Sequence, residues 1–236
     1  FRPNVPDSIK EEAAADQAGY FGLCEALDHE MGRLLSFLDQ RGLSENTLVI
    51  FTSDHGELLG SHGKYHKGEP EEESIRVPLL LRFPGVIPQS STTSQLIETV
   101  DLMPTLLDFC QLPIPTTCSG QSHAAVHTGK EPVDDKRQIC CQGKMNLSET
   151  EAWRCLITSA HKLTLRGPTA RVSQLIHLEE DPYEMNNLAG QGVSEEKQLL
   201  EAFHSLAEKR QDPFPEATQP ARAFYSDAEA QEARAR

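Results

Sequence analysis

The sequence predicts an α/β fold in two parts: a sheet sandwiched by helices over residues 1–125, then a small antiparallel sheet with one packed helix over 126–212. Three observations carry this expectation. A long segment with helical apolar spacing leads into a short β-branched run that does not alternate. A second apolar run of the same kind follows. Further on, four short strand-like pieces precede a second amphipathic segment.

From Glu11 to Gln40, Tyr20, Leu23, Leu27, Met31, Leu34 and Leu38 recur at steps of three and four, one face of an amphipathic helix. Arg41 and Gly42 supply a cation and a residue tolerant of left-handed backbone at its end. Thr47 to Ser53 is apolar and β-branched, as expected of a strand buried on both faces. "RVPLLLRFPG" reads as a second buried strand, stopped by Pro84 and Gly85. "VDLMPTLLDFCQL" reads as a short helix entered through Asp101 as N-cap. Pro113, Pro115 and the polar run Thr116 to Ser122 form a long connection. Strands are then expected near Arg137–Gln142, Trp153–Thr158, Lys162–Arg166 and Ser173–Leu178. A helix opens at Ser194 as N-cap and carries Leu199, Leu200, Phe203 and Leu206 on one face. The Pro- and Ala-rich stretch over 213–236 is expected to be a peripheral tail.

A chain of 236 residues is long enough to bury a core. Its 22 Lys and Arg against 36 Asp and Glu give a formal net charge of −14, which argues against nucleic acid as a partner. No apolar stretch has the roughly 20 residues of a membrane-crossing helix. None of the six cysteines forms a Cys-x-x-Cys pair, which argues against a zinc ribbon or thioredoxin-like site. Cys110 and Cys118 have two readings, a bridge in an oxidising compartment or free thiols. The chain opens on Phe1, and a segment upstream is expected.

The chemistry concentrates at the end of the first strand. In an open α/β sheet, ligands collect beyond the carboxyl ends of strands, where Asp54 and His55 fall. They offer a divalent cation one hard oxygen and one nitrogen, and Gly56 lets the backbone turn away. The bland reading is that Asp54 caps a following helix, His55 hydrogen-bonds within a turn, and Lys67 is a solvated lysine.

Four segments in order weigh against the bland reading: "LVIFTSDHGELLGSHGKYHKG", "EESIRVPLLLRFPG", "VDLMPTLLDFCQLPIP" and "LEEDPYEMNNLAG". Together they resemble the second half of a sulfatase of the alkaline-phosphatase superfamily. The resemblance implies a partial alkaline-phosphatase-like sheet followed by a smaller antiparallel sheet. It implies that Asp54 and His55 bind a divalent metal, usually calcium, and that Lys67 contacts the sulfate and helps neutralise the leaving oxygen. An ammonium opposite a metal holds an anionic group from two sides as charge moves to the bridging oxygen. The implied substrate is a sulfated small molecule or carbohydrate, and the implied compartment is periplasmic, secreted or lysosomal.

Among neighbouring residues, His62 either approaches the substrate or orders its loop, with the second preferred, and Lys64 is read as surface. Glu72, Glu73 and Ser74 are expected to hold the loop. Glu71 replaces the family's usual aromatic residue. Leu178 to Glu184 reads as a turn without chemistry.

The family nucleophile is a formylglycine made from a Cys or Ser in a Cys/Ser-x-Pro-x-Arg motif, with an Asp-Asp pair near the N-terminus completing the metal site. Neither is present, Asp134-Asp135 lying in the wrong half of the family order. The chain is therefore expected to be part of a longer enzyme, inactive by itself, with an exposed sheet edge and a partly uncovered core. A phosphonate monoester or phosphodiester hydrolase of the same superfamily and a non-catalytic sulfatase-like remnant are the alternatives.

Overall fold

The computed structural model describes residues 2–143, 151–212 and 214. The chain divides into two compact units, Phe1–Lys67 with Glu71–Ile139, and Gly68–Pro70 with Cys140–Arg236.

The first unit opens with a 3-10 turn, Asp7–Ile9, that runs into helix α1, Lys10–Gln40. The helix ends as its sequence requires: Gly42 takes φ 64°, and the Arg41 guanidinium lies 5.3 Å from the Phe37 ring centroid. Only Ala13 in this helix is buried. It packs at Gly60, whose own φ is 89° and where an added Cβ would lie 3.0 Å from the Ala13 methyl. Tyr20, Leu23, Leu27 and Leu34 are exposed, Leu23 by 67%. The expected uncovered apolar surface is thus present, and it runs along α1.

Strand β1, Val49–Thr52, pairs antiparallel with β2, Leu79–Arg82, in a register from Val49 opposite Arg82 to Thr52 opposite Leu79. The expected burial of both strands on both faces is corrected here. No third strand flanks this ribbon among the described residues, so its side chains stay partly exposed and Leu80 is 63% exposed. Helices α2, Glu72–Ile75, α3, Leu102–Phe109, and α4, Ala124–His127, complete the unit.

Asp101 stands at the N-cap position of α3, as expected, but its side chain makes no cap bond to that helix. It closes a 3-10 turn, Thr99–Asp101, where its carboxylate accepts from the Glu98 amide at 2.8 Å while the Glu98 side chain caps in return. The same carboxylate accepts from the Gln121 amide at 2.9 Å and from the Arg137 guanidinium at 2.5 Å. His123 Nε2 lies 3.4 Å away. A buried carboxylate needs this many donors, which a cap alone would not supply.

The second unit is a four-stranded antiparallel sheet in the order β3–β4–β5–β6. Its strands are β3, Ile139–Gly143, β4, Trp153–Ile157, β5, His161–Arg166, and β6, Arg171–His177. Helix α5, Ser194–Arg210, lies on it. Leu156, Leu163, Leu165 and Leu175 on the sheet and Leu199 and Phe203 on the helix form one core. Ser194 is the first helical residue rather than the N-cap, and its hydroxyl bonds to Glu195 at 3.0 Å.

The tail expected over 213–236 lies outside the described residues except for Phe214, which is buried against the same core. Asp212 accepts two bonds from Arg154, at 2.6 and 2.9 Å, and the Arg154 guanidinium lies 4.9 Å from the Phe214 ring centroid. No disulfide links any of the six cysteines, Cys110 and Cys118 included, and Cys110 is exposed. A hydrogen bond with the Cys141 side chain, and then full burial, push the Cys155 thiol well up.

Two outcomes follow for stability. Phe203→Ala empties the centre of the second unit and is expected to cost about 3–5 kcal/mol, read from the shift in denaturant midpoint of that unit's transition. Burial, against the opposing pull of the Asp101 carboxylate, holds the His123 imidazole below its ordinary value. The folded state then binds fewer protons than the unfolded one below about pH 6.5, so this contribution is intact above that pH and is lost as pH falls through the folded value. His127 and His161 are displaced in the same direction, mainly by burial. A melting-temperature profile should fall on the acid side of pH 6.5, and His123→Gln should flatten part of that fall.

Candidate active site

β1 ends at Thr52, and Ser53, Asp54, His55 and Gly56 turn the chain out of the ribbon. Gly56 is required by a close approach: its amide donates to the Ser74 carbonyl at 2.8 Å, and an added Cβ would stand 2.0 Å from the Glu73 carbonyl oxygen. No helix follows directly, so Asp54 is no helix cap. Its Oδ1 accepts instead from the His55 amide at 3.0 Å and from the Ser53 hydroxyl at 3.4 Å. The amide bond keeps the Asp54 carboxyl below the ordinary carboxylate range.

His55 Nδ1 lies 2.9 Å from the Gly56 carbonyl oxygen. A carbonyl only accepts, so Nδ1 carries a proton, and Nε2 is the ring nitrogen left to meet a cation. That nitrogen lies 3.5 Å from Asp54 Oδ2, and both side chains are open to solvent. Two donors at this separation fit neighbouring places around one cation with ligand distances of about 2.3–2.6 Å. The pair fits a divalent metal in donor type and spacing.

Lys67 is exposed, at the end of a loop that begins at Glu57. The loop is tied across its neck. The Leu58 amide donates to the His66 carbonyl at 2.9 Å, and the His66 amide donates to the Glu57 carboxylate at 2.5 Å. His62 takes a left-handed conformation, φ 54°, donates its amide to the Asn4 carbonyl at 2.7 Å, and has Nε2 3.1 Å from Asn4 Nδ2. Its contacts are those of a residue that orders the loop.

The acidic cluster behind the loop is built in. Glu73 is half-buried and accepts from Asn4 Nδ2 at 2.7 Å, with the Arg2 guanidinium at 3.4 Å. Burial opposes its ionisation, but Asn4 and Arg2 outweigh it and hold the carboxyl below its ordinary value. Lys64, read as surface, is corrected: its ammonium donates to the buried Glu71 carboxylate at 2.6 Å. The Glu71 carboxylate is therefore an internal ion-pair partner.

Three residues directly after Lys67 belong to the second unit and are held there one by one. Trp153 Nε1 donates to the Gly68 carbonyl at 2.8 Å, and Arg166 to the Glu69 carboxylate at 3.0 Å. Lys162 Nζ donates to the Pro70 carbonyl at 2.6 Å. Lys162 is fully buried and forms an ion pair with Glu184, itself fully buried in its side chain at a left-handed backbone position, φ 55°. The segment read as a plain turn thus carries an interior charge. A lysine inside the apolar run "HKLTLRG" was the available signal, since a lysine is almost never fully buried unless paired.

Comparison with known proteins agrees with this arrangement. The sulfatase family profile matches residues 4–112, and that of the N-sulphoglucosamine sulphohydrolase C-terminal region matches residues 60–212. The ulvan-active sulfatase of Formosa agariphila is 31% identical over 80% of this chain and 37% of its own length. The N-acetylglucosamine-6-O-sulfatase of Bacteroides thetaiotaomicron is 30% identical over 84% of this chain and 36% of its own. This chain therefore spans little more than a third of these relatives. The crystal structure of Bacteroides fragilis yidJ superposes with a TM-score of 0.84 at 26% identity, over 91% of this chain and 48% of that one. The phosphonate monoester hydrolase of Agrobacterium radiobacter superposes with a TM-score of 0.73 at 25% identity, over 85% and 42%. With the second profile alone covering more than half of the sequence, and both parts of the fold accounted for, the chain belongs to the sulfatase family.

Proposed function

We propose that this chain forms the metal- and lysine-bearing part of a sulfatase that hydrolyses sulfate esters of saccharides. The observation that carries the reading is the pair at the end of β1: Asp54 Oδ1 accepts from the His55 amide at 3.0 Å, and His55 Nε2 lies 3.5 Å from Asp54 Oδ2. The saccharide class is supported by the relatives that act on ulvan and on N-acetylglucosamine 6-sulfate groups.

In this reading Asp54 and His55 hold a divalent cation, calcium by family resemblance. When bound, the cation supplies positive charge against the sulfate oxygens. Lys67 provides the second positive contact and meets charge on the bridging oxygen as the ester bond breaks. The net charge of −14 makes such local cations necessary, because a sulfated substrate is otherwise repelled. The nucleophile, a formylglycine in a Cys/Ser-x-Pro-x-Arg segment, comes from outside these residues, and these residues alone do not turn over substrate.

Asp54→Asn and His55→Ala, made in the full-length protein, should each lower calcium content by elemental analysis and reduce kcat/KM on an aryl sulfate by roughly 100-fold, about 2.7 kcal/mol of transition-state stabilisation. Full metal content and unchanged turnover in both variants would remove these residues from the site. Peptide mass spectrometry on the native protein should find the aldehyde-bearing segment, and its absence would overturn the enzymatic reading. The phosphonate-hydrolase likeness supports a second reading, and faster turnover of an aryl phosphonate than of the matched aryl sulfate would favour it.

A further inference from the structure

We propose that Trp153 and Arg166, with the buried Lys162–Glu184 pair behind them, are positioning residues for Lys67. They fix the backbone that immediately follows it. The inference rests on the reading of Lys67 as the lysine that contacts sulfate.

The argument starts from the two faces of the second sheet. In β5, alternate side chains point to opposite sides. Leu163 and Leu165 join the core beneath α5, which leaves Lys162, Thr164 and Arg166 on the other face. β4 pairs with β5 so that Trp153 stands opposite Arg166, Cys155 opposite Thr164 and Ile157 opposite Lys162. Direct partners share a face. Trp153 and Arg166 are therefore neighbours on one surface, and Lys162 lies further along it.

Across that surface run Gly68, Glu69 and Pro70. Each makes its bond to a different side chain: indole to the Gly68 carbonyl, guanidinium to the Glu69 carboxylate, ammonium to the Pro70 carbonyl. Gly68 has φ 94°, which turns the chain in a way that side-chain-bearing residues resist. The indole is itself confined, since a Cβ at Gly143 would stand 2.4 Å from its ring.

Upstream, His66 is tied by its amide and its carbonyl to Glu57 and Leu58. Lys67 is thus one residue between two anchored stretches. A lysine carries about 2 kcal/mol of side-chain rotational freedom, so the placement of its ammonium depends on how firmly its backbone is held. Three bonds in succession on one side are more than closing a turn requires.

The test uses the full-length enzyme and a series of aryl sulfates whose phenols differ in acidity. Lys67→Ala comes first: kcat should fall and its dependence on leaving-group acidity should steepen, because charge on the departing oxygen goes unmet. Trp153→Phe, which keeps the ring and removes the donor, and Arg166→Ala should steepen it in the same direction. Their expected loss is roughly 10- to 100-fold in kcat on the poorest leaving group. Arg166→Lys should recover part of this. Combined with Lys67→Ala, neither substitution should lower kcat further.

Losses that multiply with Lys67→Ala, or a lowered melting temperature with unchanged leaving-group dependence, would reduce these residues to structural roles and overturn the inference. A Lys67→Ala enzyme with the parent dependence would instead overturn the reading of Lys67, and the inference with it. Should Trp153→Phe fail to fold, Arg166→Ala carries the test, because that side chain is 26% exposed and its removal leaves the core intact.

Discussion

The second unit depends on how it accommodates one buried ammonium. Lys162 is the second residue of β5 and has no exposure, where an unpaired charge would cost several kcal/mol. Two groups offset that cost, and they come from distant parts of the sequence. Glu184 belongs to the turn after β6, and the Pro70 carbonyl to the segment after Lys67. Neither reaches the ammonium unless its own stretch is in place. The turn is therefore closed with care: Asp181 accepts from the Met185 and Asn186 amides at 3.0 and 2.7 Å, while its own amide bonds to the His177 carbonyl. Removing one member of such a pair typically costs about 3–5 kcal/mol. The ion pair supplies specificity of arrangement in this unit, because an apolar residue at 162 would fix neither segment.

The first unit uses the same logic with less burial. Glu73 holds Asn4 and Arg2, Asn4 holds His62, and the Glu73 carbonyl excludes any side chain at Gly56. The residue after His55 is thus fixed by the acidic segment at 71–74, far along the chain. The acidic segment therefore shapes the turn on which Asp54 and His55 sit. Its carboxylates are occupied by protein donors, whereas the Asp54 carboxylate bonds only to its own neighbours and leaves Oδ2 open.

Much of this was legible in the sequence, and what escaped it has a common cause. The α1 helix, the four strands of the second sheet and α5 follow from periodicity, and each lies within a few residues of its expected span. Asp54, His55 and Lys67 stood out through strand-end placement and family resemblance. Burial of β1 and β2 was misjudged because an apolar run reports what a strand is suited to, whereas exposure depends on what covers it. Asp101, Lys64, Glu71 and Glu184 were misread or passed over for another reason. Each is a charged residue whose role is set by a partner far off in sequence or in a separate loop, and periodicity carries no trace of such a pairing.

The same contrast explains what becomes of the carboxylates around Lys67 in a strongly acidic chain. Glu71 and Glu73 lie close to Lys67 in sequence and, left open, would compete with a sulfate for its ammonium. Each is turned inward and given a donor of its own, Lys64 for the first and Asn4 with Arg2 for the second. Glu57 accepts amide bonds from Leu59 and His66 within the loop. Glu69 is taken by Arg166. The carboxylates flanking Lys67 are thereby engaged one after another, which lowers the competition a bound sulfate would meet. Giving neighbouring acids internal donors also builds the loop, because each such bond fixes a segment of it. Charge management and loop construction are here one set of interactions.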